Sequence, residues 1–127
     1  MPEMSFSYAV LRVVPSVERG EAINVGVVVY SRQHDDFLGL RVRLDDARLA
    51  ALSPACDPEP IRARLVALDL VASGATEGGA LAELPASDRF GWLTAPSSTV
   101  IQPSDVHTGL TADPAATLDH LFDTMVA

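Results

Sequence analysis

Arginine, glutamate and asparagine stand close together between positions 19 and 26, and these residue types could support chemistry on an anion. In that interpretation Glu21 is a general base, Arg19 holds a negatively charged substrate and Asn24 orients it through its amide. The structural alternative pairs Glu21 with Arg19 and uses Asn24 to satisfy backbone groups of a turn. Gly26 interrupts an otherwise regular strand, which indicates a bulge or a close approach by another backbone.

Two further arginines, Arg41 and Arg43, alternate with leucine and valine along a predicted strand at residues 37–44. The alternation places them on one face of the sheet, which we expect them to share with Asn24 and Tyr30. Guanidinium groups beside an aromatic ring can bind a carboxylate or a phosphate. The alternative is a solvated face whose arginines pair with acids of this same chain.

A third group of polar residues, Ser98, Gln102 and His107, surrounds a predicted edge strand at residues 98–102. A hydroxyl near a histidine could act as a nucleophile, but no local nucleophile signature accompanies it. We therefore interpret the three residues as part of a binding surface and predict no catalytic residue.

The residues that usually hold metals and cofactors lack the spacing those sites require. The histidines His34, His107 and His120 are scattered, and Cys56 is the only cysteine. Zinc sites place their ligands in close pairs, and phosphate-binding loops end in Lys followed by Ser or Thr. We predict neither a metal nor a cofactor.

Composition predicts one folded domain over residues 1–127. Of the 127 residues 48% are hydrophobic and 20% are charged, a balance typical of globular domains. The net charge of −8 disfavours nucleic acid, because phosphate backbones repel an acidic protein. No apolar run approaches the length of a membrane span, and the single cysteine allows no internal disulfide. These features predict a cytoplasmic protein.

The elements that position these residues follow from the hydrophobic pattern. Residues 5–14, 22–31 and 37–44 predict three strands joined by short turns, with Ile23, Val25, Val27 and Val29 expected on one face. Asp57-Pro58 and Asp113-Pro114 each predict the start of a main helix. The prediction is an α+β fold, a two-layer sandwich in which a mostly antiparallel sheet, with a three-strand N-terminal meander and an edge strand, packs on two main helices.

The chain resembles a bacterial family known as domain-of-unknown-function family 3037. Residues 8–15 and 19–30 resemble its first motif, and residues 90–102 and 107–126 resemble later segments in the same order. The first motif matches at Arg19, Gly20, Glu21, Asn24 and Gly26. Relatives in this family are often encoded beside HipA-like kinases, so the resemblance implies an accessory role to a protein partner.

Three functions are open at this point. The first is a non-catalytic binding or accessory module for a protein partner, with a HipA-like kinase as the candidate that the resemblance implies. The second is a small enzyme acting on an anionic substrate around Arg19, Glu21 and Asn24, aided by His107. The third is a homodimeric scaffold that associates through a sheet edge or through the arginine-bearing face. The first is the prediction, and the other two are alternatives.

Overall fold

The alternating apolar residues of the N-terminal third form an antiparallel meander, as predicted. The computed structural model describes residues 2–16, 18–97 and 99–127. The sheet has the order β3-β2-β1-β4, and β5 also pairs with β1. The strands, all paired antiparallel, are β1 Met4–Val13, β2 Ile23–Ser31, β3 Phe37–Val42, β4 Ile101–Pro103 and β5 His107–Thr111. The α+β class and the antiparallel sheet are confirmed.

The sheet edge beyond β1 consists of two short strands in line, where one was predicted at residues 98–102. Between them Ser104 takes the place of a regular strand partner. The backbone N–H of Val10 donates to Ser104 Oγ at 2.9 Å, and the backbone N–H of Ser104 donates to the Val10 carbonyl at 2.7 Å. Because the side chain supplies the missing acceptor, β1 stays paired along nearly its whole length.

Strand β2 contains the bulge that Gly26 indicated. Leu11 lies opposite Gly26 and Arg12 lies opposite Asn24, so Val25 is an extra residue in β2. Val25 therefore packs in the same core as Val28, while Val27 packs in another. The prediction that these valines share one face holds for Val27 and Val29 and is wrong for Val25, because it assumed an uninterrupted alternation.

Aspartate side chains begin three of the helices by accepting a backbone N–H in the first turn. Asp45, Asp57 and Asp113 cap α1, α2 and α4 in this way, which confirms both predicted Asp-Pro starts. The helices are α1 Asp46–Leu52, α2 Pro58–Ser73, α3 Ala86–Leu93 and α4 Pro114–Met125. A 3-10 segment, Thr76–Glu83, connects α2 to α3.

Arg89 ties the end of α2 to the segment that follows it. Its guanidinium donates to the carbonyls of Ala72 at 2.7 Å, Val71 at 3.2 Å and Leu84 at 2.9 Å. The last carbonyls of a helix have no partner inside the helix, and they carry partial negative charge. Arg89 satisfies two of them at the point where Gly74, with φ of 74°, ends α2.

The two main helices pack on opposite faces of the sheet. On one face α2 and α3 cover Ala9, Leu11 and Val28, and this is the larger core. On the other face α4 covers a second core formed by Phe6, Val27, Val29, Leu118, Phe122 and Val126. The face expected to carry the arginines is therefore partly covered by α4.

Within the described residues, no single helix is long and apolar enough to cross a membrane. Taken together, α2 and the Thr76–Glu83 segment have the length and composition of a membrane span, although they meet at a bend of 59°.

Candidate functional site

Arg19 and Glu21 contact each other at the turn before β2. Arg19 Nε lies 2.6 Å from Glu21 Oε1, and the two side chains are 72% and 45% exposed. Gly20 has φ of 70°, which explains the glycine in this turn. The pair lines a small cleft of about 50 Å³ with Leu52 and Ser53. A solvated pair of this kind leaves the carboxylate neutralised by its own neighbour.

Asn24 points to a different part of the molecule. Its Nδ2 donates to the Met125 carbonyl at the end of α4, at 3.0 Å. It lines a separate depression of about 280 Å³ with Arg48 and Met125. Sequence reasoning left Asn24 either in a site with Glu21 or bonded to turn backbone, but its partner lies 101 positions away. The structure therefore brings Arg19 and Glu21 together and leaves Asn24 beside α4.

Gly26 lies where β3 approaches closely. A Cβ at this position would lie 3.0 Å from Val42 Cγ1 and 3.1 Å from the Arg41 carbonyl. Both of the interpretations offered for this glycine hold, since it adjoins the bulge and lies against a neighbouring backbone.

Arg41 binds an acid of its own chain. Its Nη1 lies 2.9 Å from Asp119 Oδ1, and its guanidinium lies 4.2 Å from the centre of the Phe122 ring. Both partners belong to α4. Arg43 is exposed and makes no ion pair with the described residues.

Tyr30 does not share the face of Arg41. Tyr30 lies opposite Leu38, whereas Arg41 lies opposite Val27, so their side chains leave the sheet on opposite sides. The Tyr30 ring stacks on Phe90, with ring centres 5.5 Å apart. The expectation was wrong because the register between β2 and β3 depends on the length of the connecting turn, which alternation within one strand does not reveal.

The third predicted group is only partly described. Ser98 lies outside the described residues. Gln102 donates from Nε2 to the Thr99 carbonyl at 2.9 Å, and His107 is exposed, with its ring centre 5.3 Å from that of Tyr8. Gln102 therefore folds back onto its own loop.

The strand register also places Arg12, which sequence reasoning expected to join the arginine-bearing face of the sheet. Arg12 lies opposite both Gln102 and Asn24, which places these three residues in a row across β4, β1 and β2. The Nε of Arg12 is buried and has no hydrogen-bond partner among the described residues.

Sequence reasoning missed a large concave feature, a groove between α2 and the segment that leads into β4. It consists of two adjoining depressions of about 200 and 480 Å³ that share Arg64, Thr99 and Ile101. We call their combined lining the α2–β4 groove; its residues are Leu11, Cys56, Asp57, Pro60, Ile61, Arg64, Leu68, Trp92, Leu93, Ala95, Pro96, Ser97, Thr99, Val100, Ile101 and Pro103. A volume of this size is typical of small-molecule and peptide side-chain sites.

Local hydrogen bonds join residues of the outer wall of the α2–β4 groove to one another. Thr99 Oγ1 donates to the Ile101 carbonyl at 2.9 Å and lies 2.8 Å from Ser97 Oγ. Val100, on the rim, remains 40% exposed.

Arg64 is the cation of the α2–β4 groove. Its guanidinium lies 5.6 Å from the centre of the Trp92 ring, and it makes no ion pair with the described residues. The other charged lining residue, Asp57, uses its carboxylate to cap α2 by accepting from the Glu59 N–H at 3.0 Å. The groove therefore combines apolar walls with one available guanidinium.

The helical pattern of the sequence predicts the α2 wall of this groove but not the opposite wall. Pro60 and Arg64 lie one turn apart on α2, beside the buried stripe that contains Ile61 and Leu65. The other half depends on where residues 95–103 pass, and nothing local in the sequence specifies that path.

Among the described residues, no three His, Cys, Asp or Glu side chains lie close enough together to hold a metal ion.

Comparison with known proteins gives a family and no individual relative. The family model described as "Protein of unknown function (DUF3037)" matches residues 8–126. Neither the curated proteins nor the solved structures give a match. The match covers the sheet from Tyr8 onward, all four helices and every residue of the α2–β4 groove. By this near-complete coverage, the chain belongs to the DUF3037 family of proteins of unknown function.

Proposed function

We propose that this chain is a non-catalytic binding module of the bacterial cytoplasm, and that it holds a segment of a protein partner in the α2–β4 groove. The observation that carries the proposal is the guanidinium of Arg64, which lies across an apolar groove and pairs with no carboxylate of its own chain among the described residues. The partner segment places an apolar side chain in the groove and a carboxylate on Arg64.

The wider end of the groove suits an aliphatic or aromatic side chain. Its walls are Cys56, Pro60, Ile61, Val100 and Ile101, which enclose about 480 Å³. Burying such a side chain contributes about 1.5–3 kcal/mol. The same burial removes water from Arg64, and a guanidinium–carboxylate pair is stronger in a drier environment.

The charge of the whole chain makes this recognition local. A chain with net charge −8 repels an acidic partner at long range. Attraction to a carboxylate must therefore arise at contact, and the groove supplies that contact through Arg64. The alternative site at Arg19 and Glu21 offers no such cation, because Glu21 already pairs with Arg19.

The candidate partner is a HipA-like kinase, which the family resemblance implies. Isothermal titration calorimetry of the purified chain against that kinase tests the proposal. We expect wild type to bind and Arg64→Gln to bind about ten-fold or more weakly, because a charge-assisted hydrogen bond contributes about 1.5–3 kcal/mol. Arg32→Gln is the matched control, since Arg32 is exposed and lies outside the groove.

The outcomes separate the site from the partner. If wild type and Arg64→Gln bind the kinase with equal affinity, the α2–β4 groove is not the binding site. If wild type forms no complex with the kinase, the kinase is not the partner. A photo-crosslinking residue at Val100, on the groove rim, should then join the chain to any bound partner, while one at Val66, which is 58% exposed and does not line the groove, should not.

A further inference from the structure

Strand β3 has an outer edge whose backbone groups have no partner among the described residues. The backbone N–H of Arg43 donates to the Val25 carbonyl at 2.7 Å, which fixes the hydrogen-bonding phase between β2 and β3. With the observed register, Arg41, Gly39 and Phe37 direct their backbone groups to β2. Leu38, Leu40 and Val42 direct theirs outward.

The β4 part of the opposite edge is protected, and β3 is not. On β4, Pro103 has no N–H to donate, and the Ile101 carbonyl already accepts from Thr99 Oγ1. Proteins usually block an exposed edge with proline, a bulge or lysine, because a free edge pairs with other strands. Leu38, Leu40 and Val42 include neither proline nor lysine, and the charged residue of β3, Arg41, turns to α4, where it pairs with Asp119.

We propose that the β3 edge pairs with β3 of a second copy of this chain, antiparallel about a twofold axis at Leu40. In that register Leu40 faces Leu40 of the second copy, and Leu38 faces Val42. Each of these three facing pairs exchanges two backbone hydrogen bonds, so every outward N–H and carbonyl of the three residues is satisfied. A twofold interface requires such self-complementarity.

The side chains of β3 favour this register. On the α2 side the half-buried Leu38, Leu40 and Val42 join the same residues of the second copy, which extends the apolar core across the axis. On the α4 side Gly39 faces Arg41, and Phe37 faces Arg43. The exposed Arg43, which has no ion pair among the described residues, thereby meets an aromatic ring.

Charge disfavours one alternative symmetric register, shifted toward Arg43. A shift of the axis to Val42 would place Arg41 directly opposite Arg43 of the second copy, and like charges directly opposite are destabilising. The axis at Leu40 never brings two arginines face to face. The interface lies at the edge opposite β4, so it leaves the α2–β4 groove accessible and does not depend on the proposed function.

Sedimentation velocity and backbone amide exchange, measured on the wild-type chain across a range of concentrations, test the proposal together. We expect a dimer at high concentration in which the amides of Leu38, Leu40 and Val42 exchange about ten-fold or more slowly than in the dilute monomer. The amide of Leu110, on an exposed part of β5, should exchange equally in both.

The variant Leu40→Pro removes the donor at the axis without removing a hydrogen bond to β2, because that N–H points outward. We expect its dimer dissociation constant to rise about ten-fold or more while its circular dichroism stays that of wild type. Wild type that stays monomeric at millimolar concentration would overturn the proposal. A dimer whose Leu38, Leu40 and Val42 amides exchange as fast as in the monomer would also overturn it. So would a chain that stays monomeric and whose three amides become protected only when a different protein is added.

Discussion

Tyr30 shows how one side chain couples the β2–β3 hairpin to the helical layer. Its ring stacks on Phe90 of α3, and its hydroxyl donates to Asp36 Oδ1 at 2.8 Å. The backbone of Asp36 lies in the left-handed region, with φ of 53°. Partial burial raises the pKa of Tyr30 above 10.0, and the hydrogen bond to Asp36 and its negative charge raise it further.

The raised pKa of Tyr30 gives a prediction at alkaline pH. The folded state favours the neutral phenol, so its contribution to stability is fully present below the unfolded pKa of about 10 and is lost as pH rises through the higher folded value. Asp36→Asn should lower the pKa of Tyr30, because it removes the negative charge that opposes ionisation.

Ultraviolet absorbance titration at alkaline pH measures this pKa directly. Tyr30→Phe identifies which part of the titration belongs to Tyr30. An Asp36→Asn curve that overlays the wild-type curve would show that Asp36 does not act on Tyr30.

At the scale of the element, the β2 bulge determines which residues reach which core. The composition of β2 predicts a strand, and the Asp-Pro pairs predict where α2 and α4 begin, because both signals are local. The bulge at Val25 depends on pairing with β1, and the covering of the second face depends on α4, far along the chain. Alternation within β2 therefore predicted the strand and misassigned the faces of its residues.

The packing of α4 on β2 also explains why an asparagine occupies position 24. An asparagine in a strand is unfavourable unless its amide is used, and this much was visible in the sequence. Its acceptor, the Met125 carbonyl, becomes adjacent only when α4 packs on the sheet. Asn24 thus joins the bulged end of β2 to the end of α4, where helix carbonyls lack internal partners.

Replacement of Asn24 with alanine should lower the free energy of unfolding by about 1 kcal/mol, because one part-buried hydrogen bond is lost. Asn24→Asp should also destabilise, since a carboxylate cannot donate to a carbonyl. Urea denaturation followed by circular dichroism measures both. Gln33→Ala, in the exposed β2–β3 turn, is the control. If Asn24→Ala matched that control, the contact would not stabilise α4.

At the scale of the whole molecule, charge is distributed unevenly. Residues 1–64 carry eight Arg and nine acids, a net charge of −1, while residues 65–127 carry one Arg and eight acids, a net charge of −7. The ion pairs made by Arg19, Arg41 and Arg62 are all exposed, so each contributes little to stability. Repulsion among the remaining acids is therefore the larger electrostatic effect.

Added salt should accordingly stabilise the protein. Raising the ionic strength from about 0.01 M to about 0.1 M shortens the Debye length from about 30 Å to about 10 Å, which screens the repulsion. We expect the urea midpoint to increase over this range, measured with sodium chloride at constant pH. A midpoint that falls would mean that the surface ion pairs outweigh the repulsion.

The whole molecule also shows why the candidate site was the hardest part to predict. Residues of the α2–β4 groove come from β1, from α2 and the residues before it, from α3, and from β4 and the segment before it. Leu68 and Ile101 look like core residues, and Arg64 looks like a solvated helix position. Only their assembly makes a groove, and assembly is set by packing between distant parts of the chain.

The position of α4 in the chain has a consequence for biosynthesis. Translation releases β1, β2 and β3 long before α4, so Phe6, Val27 and Val29 emerge from the ribosome with no helix to cover them. The nascent sheet is then apolar on a face that stays open until residues 114–125 have been made. During that interval the chain resembles the substrates that chaperones bind, and a premature stop before α4 would leave a sheet prone to aggregate.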